Sequence, residues 1–280
     1  MRRSRTLVSL IALSFVLSAC GSSSSDSGSD SNAQGQEGVL APYDASKAGG
    51  TLTLVAKGAA GTLDPHINYT LQFWQLYQAT YDGLLAFRKV DGPKSFETVP
   101  DLAEALPELS DGGKTLTFTL RKGIKFSDGR DVTVNDVKAS FERIFKVLSP
   151  TAGGFYNGIV GADACLANPA TCKLDQGVIV DPATNKIEIK LTAPDATINY
   201  KLSLPHAVIL PADAPSKDAG TTPIPTTGPY MFASYDPNKE LKMVRNPNFT
   251  EWNREAQPAG YPDEIVYQFG LTAEAQVNAI

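Results

Sequence analysis

The segment from Ser110 to Pro150 restricts the possible folds more than any other part of the chain. It opens with the turn sequence Ser-Asp-Gly-Gly-Lys, and apolar and threonine side chains then alternate over Thr115–Leu120. This alternation predicts a half-buried antiparallel strand. After a second turn at 127–129, Thr133 and Asp136 have the spacing of a capping box, and apolar residues then repeat at helical spacing. The segment therefore predicts a strand followed by an amphipathic helix.

The same two patterns recur along the rest of the chain. One further helix is predicted over 70–81, with Gly83 at its end. Further strands are predicted at Thr51–Val55, Val178–Val180, Ile187–Leu191, Gly228–Tyr235, Leu241–Arg245 and Glu264–Phe269. Because strands and helices mix without strict alternation, the predicted fold class is mixed α/β, or α+β.

The first nineteen residues have the layout of a secretory signal peptide. Three arginines precede an apolar run over Leu7–Leu17, and small residues follow it. The run is too short to span a bilayer, which needs roughly 20 apolar residues. Cys20 stands where cleavage is expected, and its surroundings resemble a bacterial lipobox. This resemblance implies a lipid on Cys20 and cleavage after Ala19; the alternative is a plain signal peptide with an incidental cysteine.

Residues 20–48 are predicted to be a lipidated tether rich in serine and glycine. The part over Gly21–Gly38 lacks large apolar side chains, so it cannot bury enough surface to offset the entropy of ordering. As a flexible coil it would span roughly 20–25 Å. We therefore expect a folded domain that is held at the outer face of the cytoplasmic membrane by its lipid anchor.

Composition argues against nucleic-acid binding and against a second membrane-spanning segment. The net charge is −5, and lysine and arginine form no cluster or stripe, so nucleic-acid binding has no support. No second apolar stretch has membrane-spanning length, which leaves the lipid as the predicted membrane contact.

Cys165 and Cys172 are the two cysteines of the predicted exported body. Outside the cytoplasm such a pair predicts a disulfide that closes a small loop. Zinc binding is the alternative, although no histidine or second cysteine pair lies nearby in the sequence.

The sequence contains no recognisable catalytic motif. Its two histidines, His66 and His206, each stand beside a proline and belong to no metal-ligand or triad pattern. Paired carboxylates of the glycosidase kind cannot be judged by motif among thirty acidic residues. We expect no enzyme activity, catalytic residue, metal or cofactor.

Several motifs, in order along the chain, resemble the family 5 solute-binding proteins, the oligopeptide and dipeptide receptors of ABC importers. They are Leu63-Asp64-Pro65-His66, Tyr81-Asp82-Gly83-Leu84-Leu85, the runs 102–105, 110–129 and 132–137, Thr227-Gly228-Pro229-Tyr230 and Arg245-Asn246-Pro247-Asn248-Phe249. The resemblance extends from about Gly49 to Ile280.

This resemblance implies a type II periplasmic-binding-protein-like fold in which a ligand binds between two hinged lobes. Residues 49–70 and 200–280 would form an incomplete first lobe, and 71–199 an inserted small subdomain. The implied partners are a peptide or other small solute and the membrane subunits of an ABC importer. Closure would follow from the ligand's contacts with both lobes.

The resemblance also nominates residues for the ligand cleft. The family's first strand meets the cleft where this chain has four small residues, a family aromatic facing the ligand lies near Tyr156, and a cleft strand follows two threonines. The candidates are Gly58, Ala59, Ala60, Gly61, Tyr156, Thr226 and Thr227. The alternatives are a simple turn for the first four, a core aromatic for Tyr156 and a loop for the threonines.

The sequence departs from the family in its length, because members continue for roughly as long again. The chain ends shortly after 272–277 begin a predicted helix. We therefore expect only the N-terminal half of a receptor, without its second lobe, and peptide affinity no tighter than about millimolar. The alternative is a standalone exported lipoprotein domain with a structural or interaction role and no solute cleft.

Overall fold

The computed structural model describes residues 38–279. The predicted signal peptide (1–19), Cys20 and most of the tether (20–48) lie outside the described residues. The described strands are β1 (Thr51–Val55), β2 (Leu85–Phe87), β3 (Thr98–Pro100), β4 (Glu108–Ser110), β5 (Thr115–Thr119), β6 (Val178–Asp181), β7 (Lys186–Lys190), β8 (Tyr230–Asp236), β9 (Glu240–Arg245) and β10 (Glu264–Gln268). The described α-helices are α1 (Leu71–Thr80), α2 (Val134–Lys146), α3 (Ala152–Phe155), α4 (Ala162–Ala167), α5 (Ile198–Leu202) and α6 (Ala273–Asn278). Across this range no helix is long and apolar enough to cross a membrane.

The first sheet has the order β1-β10-β9-β8. β1 runs parallel to β10, and the other neighbours are antiparallel. Leu241 and Met243 alternate with polar residues on β9 and are fully buried. They pack with Phe73 and Tyr77 of α1 in a hydrophobic cluster that we call the first core.

The second sheet is antiparallel and has the order β4-β5-β7-β6. Phe118 of β5 lies opposite Ile187 of β7, and both are buried in a cluster that we call the second core. α2 packs over this sheet, and the predicted capping box at its start is present. The helix ends at Lys146, earlier than the apolar spacing predicts, because Leu148 adopts a left-handed conformation before the proline. The mixed α/β class is confirmed.

The predicted disulfide is present in the structure. Cys165 of α4 is bonded to Cys172, and both residues are buried at the edge of the second core.

The two hydrophobic cores separate α1 from the residues that follow it. Phe73, Leu76 and Tyr77 of α1 belong to the first core, whereas the second core begins at Leu84. α1 therefore packs in the first core. The division into a first lobe (49–70 and 200–280) and an inserted subdomain (71–199) stays a prediction.

Residues 207–210 connect the two cores. Ala207 and Ile209 belong to the second core, and Val208 and Leu210 to the first. Ala207 ends a short 3-10 helix, and the chain is extended from Val208 onward. Successive side chains of an extended segment point to opposite sides, which explains the alternation over 208–210. Hydrogen bonds from the amides of Ile209 and Leu210 to the Asp82 carbonyl and the Ser140 hydroxyl, each 2.8 Å long, hold the segment in place.

A buried ion pair also joins the two parts of the fold. The guanidinium of Arg143 on α2 donates to both carboxylate oxygens of Asp64, which follows β1 in the chain. Arg143 donates to the Pro215 carbonyl as well (2.8 Å), and Asp64 accepts from the Ala219 amide (3.1 Å). Burial opposes ionisation of Asp64, but these contacts hold its pKa below the usual value.

Candidate ligand-binding surface

The four residues after β1 present unpaired backbone donors. Gly58 and Gly61 are exposed, and Ala59 and Ala60 are half-buried. Among the described residues, none of the backbone N–H groups of these four finds an acceptor. Gly61 has a φ of +94°, a conformation that glycine adopts without steric cost. We call this segment, Gly58–Gly61, the donor loop.

Three of the four carbonyl groups of the donor loop accept hydrogen bonds from side chains. The Asn68 side-chain amide donates to the Ala60 carbonyl at 2.7 Å, and Gln72 donates to the Gly58 carbonyl at 3.2 Å. The Tyr235 hydroxyl donates to the Gly61 carbonyl at 2.5 Å. Because three of its four carbonyl groups are occupied and its N–H groups are unpaired among the described residues, the loop can bind a ligand that offers carbonyl oxygens, such as an extended peptide.

Two exposed apolar residues are adjacent in the sequence to the residues that bind the donor-loop carbonyls. Tyr69, next to Asn68, is 52% exposed, and Leu71, next to Gln72, is 73% exposed. The sequence pattern did not indicate them, because isolated exposed apolar residues at the start of a helix have no periodic signal.

The other nominated residues lie inside the fold. Tyr156 is fully buried in the second core, and its hydroxyl donates to the Lys201 carbonyl at 2.9 Å. Thr226 and Thr227 are also buried. Thr227 donates to the Asp82 carboxylate at 2.6 Å, and the Thr226 amide donates to the Ser127 hydroxyl at 3.0 Å. Tyr156 thus packs as a core aromatic, and the threonines bond to residues far from them in the chain. A role of these three residues in ligand binding stays a prediction.

A cluster of buried polar side chains surrounds a small cavity of about 40 Å³ between α1 and β2. Asp82 and Asp101 line it and are fully buried. Gln257 and Thr227 each donate to Asp82 at 2.6 Å, and the Trp252 indole donates to Asp101 at 2.9 Å. Burial raises the pKa of Asp82 to about 6 and also raises the pKa of Asp101, whose neighbouring carboxylate adds to the effect. Burial lowers the pKa of Lys89, which lines the same cavity.

The carboxyl pair predicts an unusual pH dependence. A folded-state pKa above the unfolded value means that this pair stabilises the fold most below about pH 4, and that its contribution is lost as pH rises through about 6. Asp101→Asn replaces one carboxyl with an amide and so removes part of this pH dependence. The free energy of unfolding of the variant minus that of the wild type should therefore be roughly 1–3 kcal/mol larger at pH 7 than at pH 4. Urea unfolding at several pH values measures the difference. Asp131→Asn, at an exposed aspartate, is the control, and equal pH profiles for wild type and Asp101→Asn would contradict the prediction.

No group of three histidine, cysteine, aspartate or glutamate side chains in residues 38–279 is arranged to hold a metal ion.

Comparison with known proteins gives consistent matches. The family model described as bacterial extracellular solute-binding proteins, family 5 Middle, matches residues 97–280. The chain is 30% identical over 196 residues to the probable D,D-dipeptide-binding periplasmic protein of Escherichia coli (strain K12), covering 67% of this chain and 34% of that protein. It is 32% identical over 200 residues to the dipeptide-binding protein of the same organism, covering 65% of this chain and 34% of that protein.

Comparison with solved structures also finds a peptide-binding protein. The clavulanic acid biosynthesis oligopeptide binding protein 2 superposes with a TM-score of 0.66 at 29% identity, covering 80% of this chain and 41% of that one. The chain thus spans about a third of the length of the two curated relatives and 41% of this structural relative.

Proposed function

The chain belongs to the bacterial extracellular solute-binding proteins of family 5, and from this premise we propose that it forms one wall of a peptide-binding cleft that serves an ABC importer. The predicted family and the type II periplasmic-binding-protein fold are confirmed. The relatives are described as solute-, dipeptide- and oligopeptide-binding proteins, which supports a binding role and not a catalytic one for this chain.

The donor loop is the observation that supports a peptide ligand most directly. A peptide in extended conformation offers a carbonyl group at every residue, and the loop offers unpaired N–H groups of matching type. Recognition through the backbone would accept many peptide sequences, because the hydrogen bonds do not involve the ligand's side chains. The names of the relatives, which bind dipeptides and oligopeptides, agree with this choice of ligand class.

The proposed mechanism is closure around the peptide. A ligand that touches two walls stabilises the closed state by its differential affinity, and the importer's membrane subunits then recognise that state. The surface described for this chain supplies one wall. If one wall provides about half of the roughly 8 kcal/mol of a micromolar complex, the 280-residue polypeptide alone should bind peptide with a Kd of about 1 mM.

We place the protein outside the cytoplasm, attached to the membrane by a lipid on Cys20. The signal-peptide layout of residues 1–19 and the serine- and glycine-rich residues that follow support this part of the proposal.

Titration of the isotope-labelled chain with a mixture of tripeptides tests the proposed function by NMR. The backbone amide signals of the donor loop should shift in a saturable manner, with a Kd of about 1 mM. Gly112 and Gly129, which lie in turns with open surroundings, provide control signals. Absence of a saturable shift in the loop, or equal shifts in the loop and the control glycines, would contradict peptide binding at this surface.

A further inference from the structure

Three aromatic rings form a cluster beside the donor loop. The ring centroids of Tyr69 and Trp74 lie 5.1 Å apart, those of Tyr69 and His206 lie 5.1 Å apart, and those of Trp74 and His206 lie 5.4 Å apart. Tyr69 and Trp74 meet at 77°, and Trp74 and His206 at 67°, so both pairs have an edge-to-face arrangement. We call Tyr69, Trp74 and His206 the aromatic cluster.

The cluster contains buried nitrogen atoms that have no hydrogen-bond partner. His206 is fully buried. Its ring approaches the Asn68 backbone, which partly offsets the lowering of its pKa by burial, but no hydrogen bond of regular geometry forms at either ring nitrogen among the described residues. The indole nitrogen of Trp74 is also buried and lacks an acceptor in the same part of the chain. Leaving such groups unpaired is costly, and the exceptions in native proteins call for an explanation, such as a role in binding.

The electrostatic state of the cluster favours an uncharged ligand group. Burial lowers the pKa of His206 to about 4, so the imidazole is neutral near pH 7 and offers one donor and one acceptor. The cluster therefore presents ring faces, ring edges and two N–H donors without a net charge. An aromatic side chain fits the rings, and a neighbouring carbonyl group fits the donors.

The position of the cluster connects it to the donor loop. Asn68, which precedes Tyr69, donates to the carbonyls of Ala60 and Thr62 at 2.7 Å each. Tyr69 is 52% exposed, whereas Trp74 is half-buried and His206 is fully buried. Tyr69 is therefore the member of the cluster that a ligand can reach first from solvent.

We propose that Tyr69, Trp74 and His206 form a subsite for an aromatic side chain of a peptide bound along the donor loop. This inference rests on the proposed function and adds side-chain selectivity to it. A carbonyl group of the same peptide accepts a hydrogen bond from the Trp74 indole or from the N–H of His206 when Tyr69 moves aside.

Matched alanine tripeptides test the subsite. One set carries a phenylalanine, a second carries cyclohexylalanine, and a third carries neither, with the substituted residue at each position in turn. For the best position, the phenylalanine peptide should bind the full chain about threefold to tenfold more tightly than its cyclohexylalanine counterpart. The chain has two tryptophans; the indole N–H signal of Trp74 should shift, while that of Trp252, which donates to Asp101, should not.

Two variants separate the subsite from general effects of mutation. Tyr69→Leu should abolish the preference for phenylalanine, whereas Tyr200→Leu, at a tyrosine of similar exposure (49%), should keep it. The subsite would be overturned if both peptide sets shift the donor-loop signals with equal affinity and the Trp74 signal does not move. That outcome would leave the proposed function intact. If no peptide shifts the donor-loop signals, the proposed function and the subsite both fail.

Discussion

Replacing Arg143 with methionine should lower the free energy of unfolding by about 3–5 kcal/mol. The substitution keeps most of the side-chain volume but leaves the carboxylate of Asp64 buried without its counter-ion. It also removes the donor to the Pro215 carbonyl. Urea unfolding followed by circular dichroism measures the loss.

Two control variants identify the cause of that loss. Arg143→Met combined with Asp64→Leu removes both charges and should recover a large part of the stability, because no unpaired charge stays buried. Lys125→Met breaks an exposed ion pair with Asp131 and should cost less than about 1 kcal/mol. A loss below about 1 kcal/mol for Arg143→Met would show that the buried pair does not hold the two parts of the fold together.

Cys20→Ser should move the protein from the membrane fraction to the soluble fraction, or block its processing so that the precursor accumulates. The reason is that the apolar run before Cys20 is too short to act as an anchor once the lipid is lost. Fractionation of cells and the mass of the isolated protein report both outcomes.

The disulfide offers a matched control for this experiment, because it also changes cysteine to serine. The double variant Cys165→Ser and Cys172→Ser leaves the predicted lipid site intact, so it should stay in the membrane fraction. An unchanged distribution and unchanged processing of Cys20→Ser would exclude the lipid anchor.

Local patterns were sufficient to predict most of the individual elements. The strand β5, the start of α2 and the strands β6 and β7 all follow from alternation, capping and turn residues within short windows. The order of strands in the sheets does not follow from such windows. β1 pairs with β10, more than 200 residues away, and β5 lies beside β7, and both pairings depend on packing between distant segments.

The candidate site could be nominated only through the family resemblance. That resemblance pointed to the glycines and alanines of the donor loop, whose role in binding stays a prediction, and the burial of Tyr156, Thr226 and Thr227 depends on tertiary contacts that the sequence does not reveal. His206 and Trp74 lie in segments more than 130 residues apart, and sequence spacing does not reveal that their rings meet.

The alternation of residues 207–210 between the cores determines how the molecule can come apart. Opening the first core would withdraw Val208 and Leu210, and this movement would pull Ala207 and Ile209 from the second core, because the four residues are consecutive. The free energies of opening are therefore linked through one short piece of backbone. We expect the two cores to unfold together as one cooperative unit, without a native-like intermediate in which only one of them is open.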